Sequence, residues 1–283
     1  MYYQIEYYAG NTIDTQKTFS RRYGKNFTRD RKCGTTPPSM EEQNTKNAER
    51  QLTRIINENF KKGDIHLTLT YFREKRPDSE NAKKQIQAFL RRLRRYFNRR
   101  EKELKYLWAT AYGSKGAIHH HLVISTMDAR DLQSLWPYGR AHAEYCYSAE
   151  YSALAAYIVR QAKTGLTSGE KINARRWSGS RNLIIPKPHR KEVSATKWKE
   201  PPRAKPGYII DLNSIDAGIN PVTGIPFLFY RQIKIPADLT ITTQENIILR
   251  GEPAQKYITS EGIKKLQNWK PDGGNLIYIS SKK

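Results

Sequence analysis

Three of the chain's six histidines stand side by side, His119-His120-His121, inside the run Ile118 to Ser125. Apart from the imidazoles the run is apolar, as in a buried strand. Alternate side chains of a strand share a face. His119 and His121 therefore point one way, and His120 points the other way with Ile118, Leu122 and Ile124. Two imidazoles on one face of a rigid strand form half of a metal site. A polar patch at the strand surface, or a structural zinc, would use the same two residues. A second reactive group lies on a helix expected over 149–164. At about 100° per residue, Glu150, Ala153, Tyr157, Arg160, Gln161 and Thr164 share one side. Tyr151, Leu154, Ala155, Ile158 and Ala162 form the apolar stripe, so Tyr157 sits on the flank of the buried face. Arg160 and Lys163 would bring positive charge to its hydroxyl, and Gln161 carries an amide oxygen able to hold a hard cation. A lone helical tyrosine most often packs, and Tyr151 and Tyr147 are further tyrosines nearby.

The combination suits phosphoryl transfer through a covalent tyrosine. A tyrosine hydroxyl titrates at about 10 and needs help to attack. Nearby cationic charge eases its ionisation, and a metal ion neutralises charge growing on phosphate oxygens. The products would be a 5′-phosphotyrosine and a free 3′-hydroxyl, with no nucleotide cofactor required.

Charge names the class of partner. Lys and Arg number 50 against 27 Asp and Glu, a formal net charge of +23. Such an excess favours a polyanion, most simply nucleic acid, with an anionic membrane surface as the competitor. No apolar stretch reaches about 18 residues, and no secretory leader is visible at the N-terminus, so no membrane span is expected. Cys33 and Cys146, without CxxC spacing, suit a reducing cytoplasm and argue against a thiolate zinc site.

The supporting elements follow from periodicity. Residues 1–38 read as a basic, Tyr/Arg-rich arm, extended or partly disordered. Ser39 to Glu42 fits a capping box, and Leu52, Ile55, Ile56 and Phe60 recur at helical spacing over 40–60. Ile65 to Tyr71 alternates, with His66, Thr68 and Thr70 on the polar face. Asp78 or Ser79 caps a helix over 79–103, whose apolar stripe is crowded by Arg91, Arg92, Arg94 and Arg95, either a solvated face or phosphate contacts. Tyr106 to Tyr112 and the histidine strand form a hairpin across Gly113 to Gly116. A short helix over 127–136, a strand over 140–147 carrying His142 and Glu144, and the tyrosine helix complete this part. Residues 165–206 are basic and Pro-rich; Arg175, Arg176 and Arg181 surround Trp177, which, like Trp198, could stack on unpaired bases. Short β-like runs follow at 208–212 and 225–230, with a turn at 220–224. A helix is expected at Ser260 to Trp269 and a strand at Leu276 to Ile279.

The order of strand Leu67-Thr68-Leu69-Thr70-Tyr71, strand His119-His120-His121 and helix Tyr157-Ile158-Val159-Arg160-Gln161-Ala162-Lys163 resembles the HUH endonucleases. Within them it is most similar to rolling-circle replication initiators of small phages and plasmids. Asn59-Phe60 and Trp177-Ser178-Gly179-Ser180-Arg181-Asn182-Leu183 extend the likeness, which covers about 50–200. The resemblance implies an α+β fold, a central antiparallel sheet flanked by helices in a ferredoxin-like split βαβ arrangement. It spans an endonuclease domain over 39–200, with a small basic, partly β extension over 201–283. It implies His119 and His121 as metal ligands, Mg²⁺ or Mn²⁺ as the cation, and Tyr157 as nucleophile with Arg160 and Lys163 beside it. Single-stranded DNA, with a hairpin, at a replication origin would lie against Thr68, Thr70, Arg91, Arg92, Arg95, Arg175, Arg176, Trp177 and Arg181. A host helicase would unwind the duplex in a bacterial cytoplasm. Three departures stand out. Many such initiators carry a glutamate where Ala111 stands, so a third ligand must come from elsewhere. Gln161 is the expected one, with His142, Glu144, Glu150 and His66 in reserve. Arg160 replaces the usual lysine, and Gln161 occupies the place of a second tyrosine, which implies a single-tyrosine enzyme. A conjugative relaxase or a transposase would share this chemistry, and a non-catalytic nucleic-acid-binding protein would share the charge.

Overall fold

The structure is a computed structural model and describes residues 2–19, 38–113, 116–148, 150–167, 176–194, 202–219, 224–235, 243–246 and 256–258. The expected helix at Ser260, the strand at Leu276, the turn at 220–223, and Arg175, Trp198 and Cys33 lie outside these residues. In chain order the elements begin with β1 (Tyr2–Ala9), β2 (Thr12–Phe19), α1 (Pro38–Asn59), β3 (Ile65–Thr70), α2 (Ser79–Asn98), β4 (Tyr106–Tyr112) and β5 (Ile118–Ile124). They continue with α3 (Ala129–Leu135), β6 (Ala141–Tyr145), α4 (Ser152–Thr167), β7 (Ser178–Gly179), β8 (His189–Val193), β9 (Tyr208–Ile219) and β10 (Pro226–Lys234). A small pair, β11 (Thr243–Asn246) and β12 (Lys256–Ile258), comes last. Among the described residues the fold is α+β, with two antiparallel five-stranded sheets and four α-helices. No helix there is long and apolar enough to cross a membrane.

The chain divides into two compact units, 37–185 and the combination of 1–36 with 186–283. This division differs from the expected boundaries at 38 and 200.

The first unit holds the histidine strand. Its sheet runs β6-β3-β5-β4-β7, and every adjacent pair is antiparallel. The path β3-α2-β4-β5-α3-β6 with that order is the split βαβ arrangement expected. Alternation sends Ile65, Leu67, Leu69, Trp108, Leu122 and Ile124 to one face, where they pack with Ile86, Phe89, Leu90 and Leu93 of α2 and with Leu132 and Trp136. The opposite face carries Leu107, Ala109 and Val123 against Leu52, Ile55 and Ile56 of α1 and Ala155, Ile158 and Val159 of α4. Each fully buried Leu, Ile or Phe contributes roughly 1.5–3 kcal/mol relative to exposure. Asp78 caps α2 by accepting from Asn81 N at 2.7 Å. The helix ends at Asn98 rather than 103, because Glu101 takes φ 53° and Lys102 N donates back to Phe97 O, a left-handed closing turn.

The second unit corrects the expectation of a loose N-terminal arm for residues 2–19. β1 and β2 form a hairpin within a sheet of order β8-β1-β2-β10-β9. The two-residue link Gly10-Asn11, with Gly10 at φ 54°, is the turn signal that announces it. Asp14 and Arg231 stand opposite each other on β2 and β10 and form a buried ion pair, Nε to Oδ1 2.7 Å.

Candidate metal and nucleophile site

The site is built on the α1/α4 face of the first unit's sheet. Register places Thr68 opposite His121 and Thr70 opposite His119 on β3, and Ala109 and Ala111 opposite the same histidines on β4. Cross-strand partners share a face, so the two histidines sit between threonines on one side and alanines on the other. The place of the missing carboxylate is thus a methyl group at Ala111, directly beside His119.

His120 points to the other face, as strand geometry requires. It is fully buried, with Tyr71 Oη 2.9 Å from Nε2 and Thr110 Oγ1 2.7 Å from Nδ1. Burial, reinforced by the neighbouring His119 and His121, pushes its pKa down to about 3. It is a neutral core side chain with both ring nitrogens engaged.

The facing pair is different. His121 Nδ1 lies 3.3 Å from Thr68 Oγ1, while its Nε2 is buried and has no hydrogen-bond partner. Burial first, then His119 and His66, pushes its pKa down to about 3, so it stands in the neutral form that ligates metals. His119 Nδ1 lies 3.4 Å from Ala117 O, and its ring is 4.9 Å from that of His121. Gln161 hydrogen-bonds the His119 side chain. Tyr157 of α4, 44% exposed, sets its ring edge-on to His121 at 4.9 Å and to His66 at 6.2 Å. The tertiary fold therefore brings together His119, His121, Tyr157 and Gln161, which are separated by up to 42 residues in the chain.

The orphaned Nε2 of His121 fits a bound cation, because a buried polar atom left unpaired costs about 1–3 kcal/mol. Neutral imidazoles with an amide oxygen beside them suit a divalent metal. Among the described residues no three His, Cys, Asp or Glu side chains already converge on one point.

Other expected residues are placed differently. Arg160 Nε lies 3.2 Å from Glu49 Oε1 and Lys163 Nζ 3.2 Å from Glu41 Oε1, both carboxylates of α1. Their charge answers α1, and Tyr157 is instead pushed above the ordinary tyrosine range by burial and by Glu144. Thr68 braces His121, and Thr70 Oγ1 donates to Arg140 O at 3.4 Å. Arg91, Arg92 and Arg95 ride on α2, across the sheet from the histidines. Arg92 is turned inward, its Nε donating to Leu135 O at 2.9 Å and its guanidinium 5.6 Å from the Tyr138 ring. Arg176, Trp177 and Arg181 line a groove of about 530 Å³ with Ala48, Gln51 and Leu107. Arg176 Nη1 donates to Thr45 Oγ1 at 3.2 Å, and Trp177 packs against the α1/α4 core. Tyr151 is buried in that core and Tyr147 pairs with Tyr145, so neither touches the histidines in any ring contact described. Glu150 is buried ahead of α4, which starts at Ser152 rather than 149, and accepts from Ser152 Oγ at 2.7 Å.

His66 is the neighbour that sequence reasoning held only in reserve. It lies on the same face as Thr68, and its ring stacks on that of His121, 5.7 Å away and inclined by 19°. Its place two residues before Thr68 on the polar face of β3 is the signal that pointed to it.

Comparison with known proteins adds one finding. A family model for the replication-associated protein ORF2 matches residues 64–162, about a third of the chain, from the turn before β3 to the middle of α4. The matched stretch contains His66, Thr68, the three histidines, Tyr157 and Gln161. No match was found among curated proteins or among solved structures.

Proposed function

We propose that the chain is a replication initiator that acts as a single-tyrosine, metal-dependent DNA nickase and strand transferase of the HUH type, starting rolling-circle replication. The observation that carries this reading is the contact of the Tyr157 ring with His121, whose buried Nε2 has no partner. The family match to replication-associated proteins over the same residues and the net charge of +23 support it. In this reading His119 and His121, with Gln161, hold Mg²⁺ or Mn²⁺. When bound, the cation polarises the scissile phosphate and offsets charge on its oxygens.

The chain's own residues do the rest. α4 presents Tyr157 Oη beside the two histidines. Oη forms a bond to the scissile phosphorus as the P–O3′ bond breaks. The phenolic proton passes to solvent, and the departing oxygen takes up a proton as a free 3′-hydroxyl. Phosphodiester energy is kept in the 5′-phosphotyrosine, so an incoming 3′-hydroxyl can rejoin the strand. Thr68 holds the His121 ring in place. Arg176 and Arg181 face phosphates of the single strand, and Trp177 offers a ring edge in the same groove. A helicase supplied by the host opens the duplex.

The test uses the full chain, Mn²⁺ and a pool of end-labelled single-stranded oligonucleotides tiling the genetic element that encodes it. A denaturant-resistant protein–DNA adduct is expected, absent in Tyr157→Phe although that variant still binds DNA. Binding without any adduct on any strand would leave a non-catalytic DNA-binding protein as the better reading.

A further inference from the structure

We propose that His66 is a third imidazole ligand of the cation held by His119 and His121, fixed in its ligating tautomer by Glu144, so that the site prefers a first-row transition cation to Mg²⁺. The inference rests on the metal-dependent reading above and extends it to the identity of the ion.

Two independent observations meet at His66. Its Nε2 is buried and has no hydrogen-bond partner, and the same is true of Nε2 in His121, whose ring it stacks against. Two such atoms in adjacent rings are a costly arrangement for a merely structural pair, since each forgoes a hydrogen bond it could have made to water. The second observation concerns the far side of the ring. His66 Nδ1 lies 3.2 Å from Glu144 Oε2, and Glu144 stands opposite His66 on β6. A carboxylate on one imidazole nitrogen places the proton there and turns the other nitrogen's lone pair outward, the arrangement found behind metal-ligating histidines. Thr68 does the same for His121. His142 Nε2 lies 3.2 Å from the other oxygen of Glu144, which steadies the carboxylate from the solvent side.

The rings neighbour one another without converging on one point, so a cation must draw them in by side-chain rotation. Ala109 and Ala111 opposite His121 and His119 leave room for that movement. Mg²⁺ favours oxygen donors and keeps its waters, whereas imidazole nitrogens bind Mn²⁺, Co²⁺ and Zn²⁺ with rising affinity. Three imidazoles therefore tilt the site away from Mg²⁺.

The experiment follows the imidazole nitrogens of the ¹⁵N-labelled full chain during Zn²⁺ titration, with Mn²⁺ and Mg²⁺ affinities measured by calorimetry. His66 Nε2 is expected to shift on Zn²⁺ binding while Nδ1 keeps its proton. Mn²⁺ affinity is expected to fall about 10- to 100-fold in Glu144→Gln, and at least as far in His66→Ala, with Mg²⁺ binding weak throughout. Glu144 is 61% exposed in its side chain on an edge strand, so its variant should fold even if His66→Ala does not. Wild-type Mn²⁺ affinity in both variants, together with loss of binding in His121→Ala, would refute His66 as a ligand and leave the two-histidine reading intact. A wild-type chain that binds none of the three cations would overturn the metal-dependent reading and this inference with it.

Discussion

Three adjacent histidines take three different places because a strand alternates and a sheet has two sides. His120 is a core residue whose ring nitrogens meet Tyr71 and Thr110. Replacing it by leucine keeps the apolar volume but strands both hydroxyls. His120→Leu is therefore expected to lower stability by about 2–4 kcal/mol, at roughly 1–3 kcal/mol for each buried group left unpaired. Denaturant unfolding measures this, and an unchanged midpoint would mean that both hydroxyls find other partners. His121 and His66 present the opposite case, buried nitrogens that the protein itself does not satisfy. Tyr157 carries no cationic help from its own helix, since Arg160 and Lys163 are engaged by Glu49 and Glu41. In the proposed mechanism, activation of the hydroxyl therefore falls to the cation, which is why Tyr157→Phe should abolish the adduct while leaving phosphate-driven binding in place.

At the level of elements, the site depends on how closely β3, β6 and α4 are seated. Gly139, ahead of β6, sits where an added Cβ would lie 1.8 Å from Thr70 O and 2.6 Å from Tyr71 Cα. Both are backbone atoms of β3 and its extension, and neither can swing aside. Gly139→Ala should force β6 away from β3, separating Glu144 from His66 and costing at least about 1–3 kcal/mol, as overpacking does. A variant as stable as the wild type would show that this join yields easily. α4 is tied to α1 at its start, where Tyr151 N donates to Asn57 Oδ1 at 2.9 Å. The hairpin β1–β2 in the other unit is held in part by Glu6. Burial raises the Glu6 carboxyl, but hydrogen bonds from Lys205, Tyr8 and Gln4 outweigh this and leave its pKa below the usual range. A lowered carboxylate pKa stabilises the fold above the unfolded pKa, and that contribution is lost as pH falls through the folded one. The stability gap between wild type and Glu6→Gln should thus be constant near neutrality and close on acidification below the usual carboxylate range. A gap independent of pH would show that the charge of Glu6 is not what matters.

For the whole molecule the governing quantity is the net charge of +23. If DNA is the partner, phosphate contacts release counterions and the logarithm of the binding constant falls linearly with that of salt. A site making 6–10 such contacts should lose about 10³–10⁵ in affinity between 50 and 200 mM salt. Tyr157→Phe should leave the slope unchanged, because the hydroxyl neutralises no phosphate. A flat salt profile in a filter-binding assay would contradict a nucleic-acid partner. The α2 arginines lie across the sheet from the histidines, so any phosphates they meet belong to a different stretch of DNA from the one beside Tyr157.

Periodicity alone determined most of the first unit: every helix and strand from α1 to α4, the opposite faces of His119 and His120, and the flank position of Tyr157. These are local properties, set by the 2.0 and 3.6 residue repeats. Chain position also singled out Ala111 as the missing carboxylate, and the register confirms that it faces His119. What only the tertiary structure decided is which side chains meet across elements. His66 reaches His121 through the β3–β5 register, 55 residues apart, and Glu144 reaches His66 through β3–β6. Arg160 and Lys163 turn to α1 because carboxylates wait there, a fact invisible from the helix wheel of α4. Cross-strand register and helix seating depend on long-range packing, so no local pattern around His119 could disclose that its nearest fellow donors include a histidine from the first strand of the sheet.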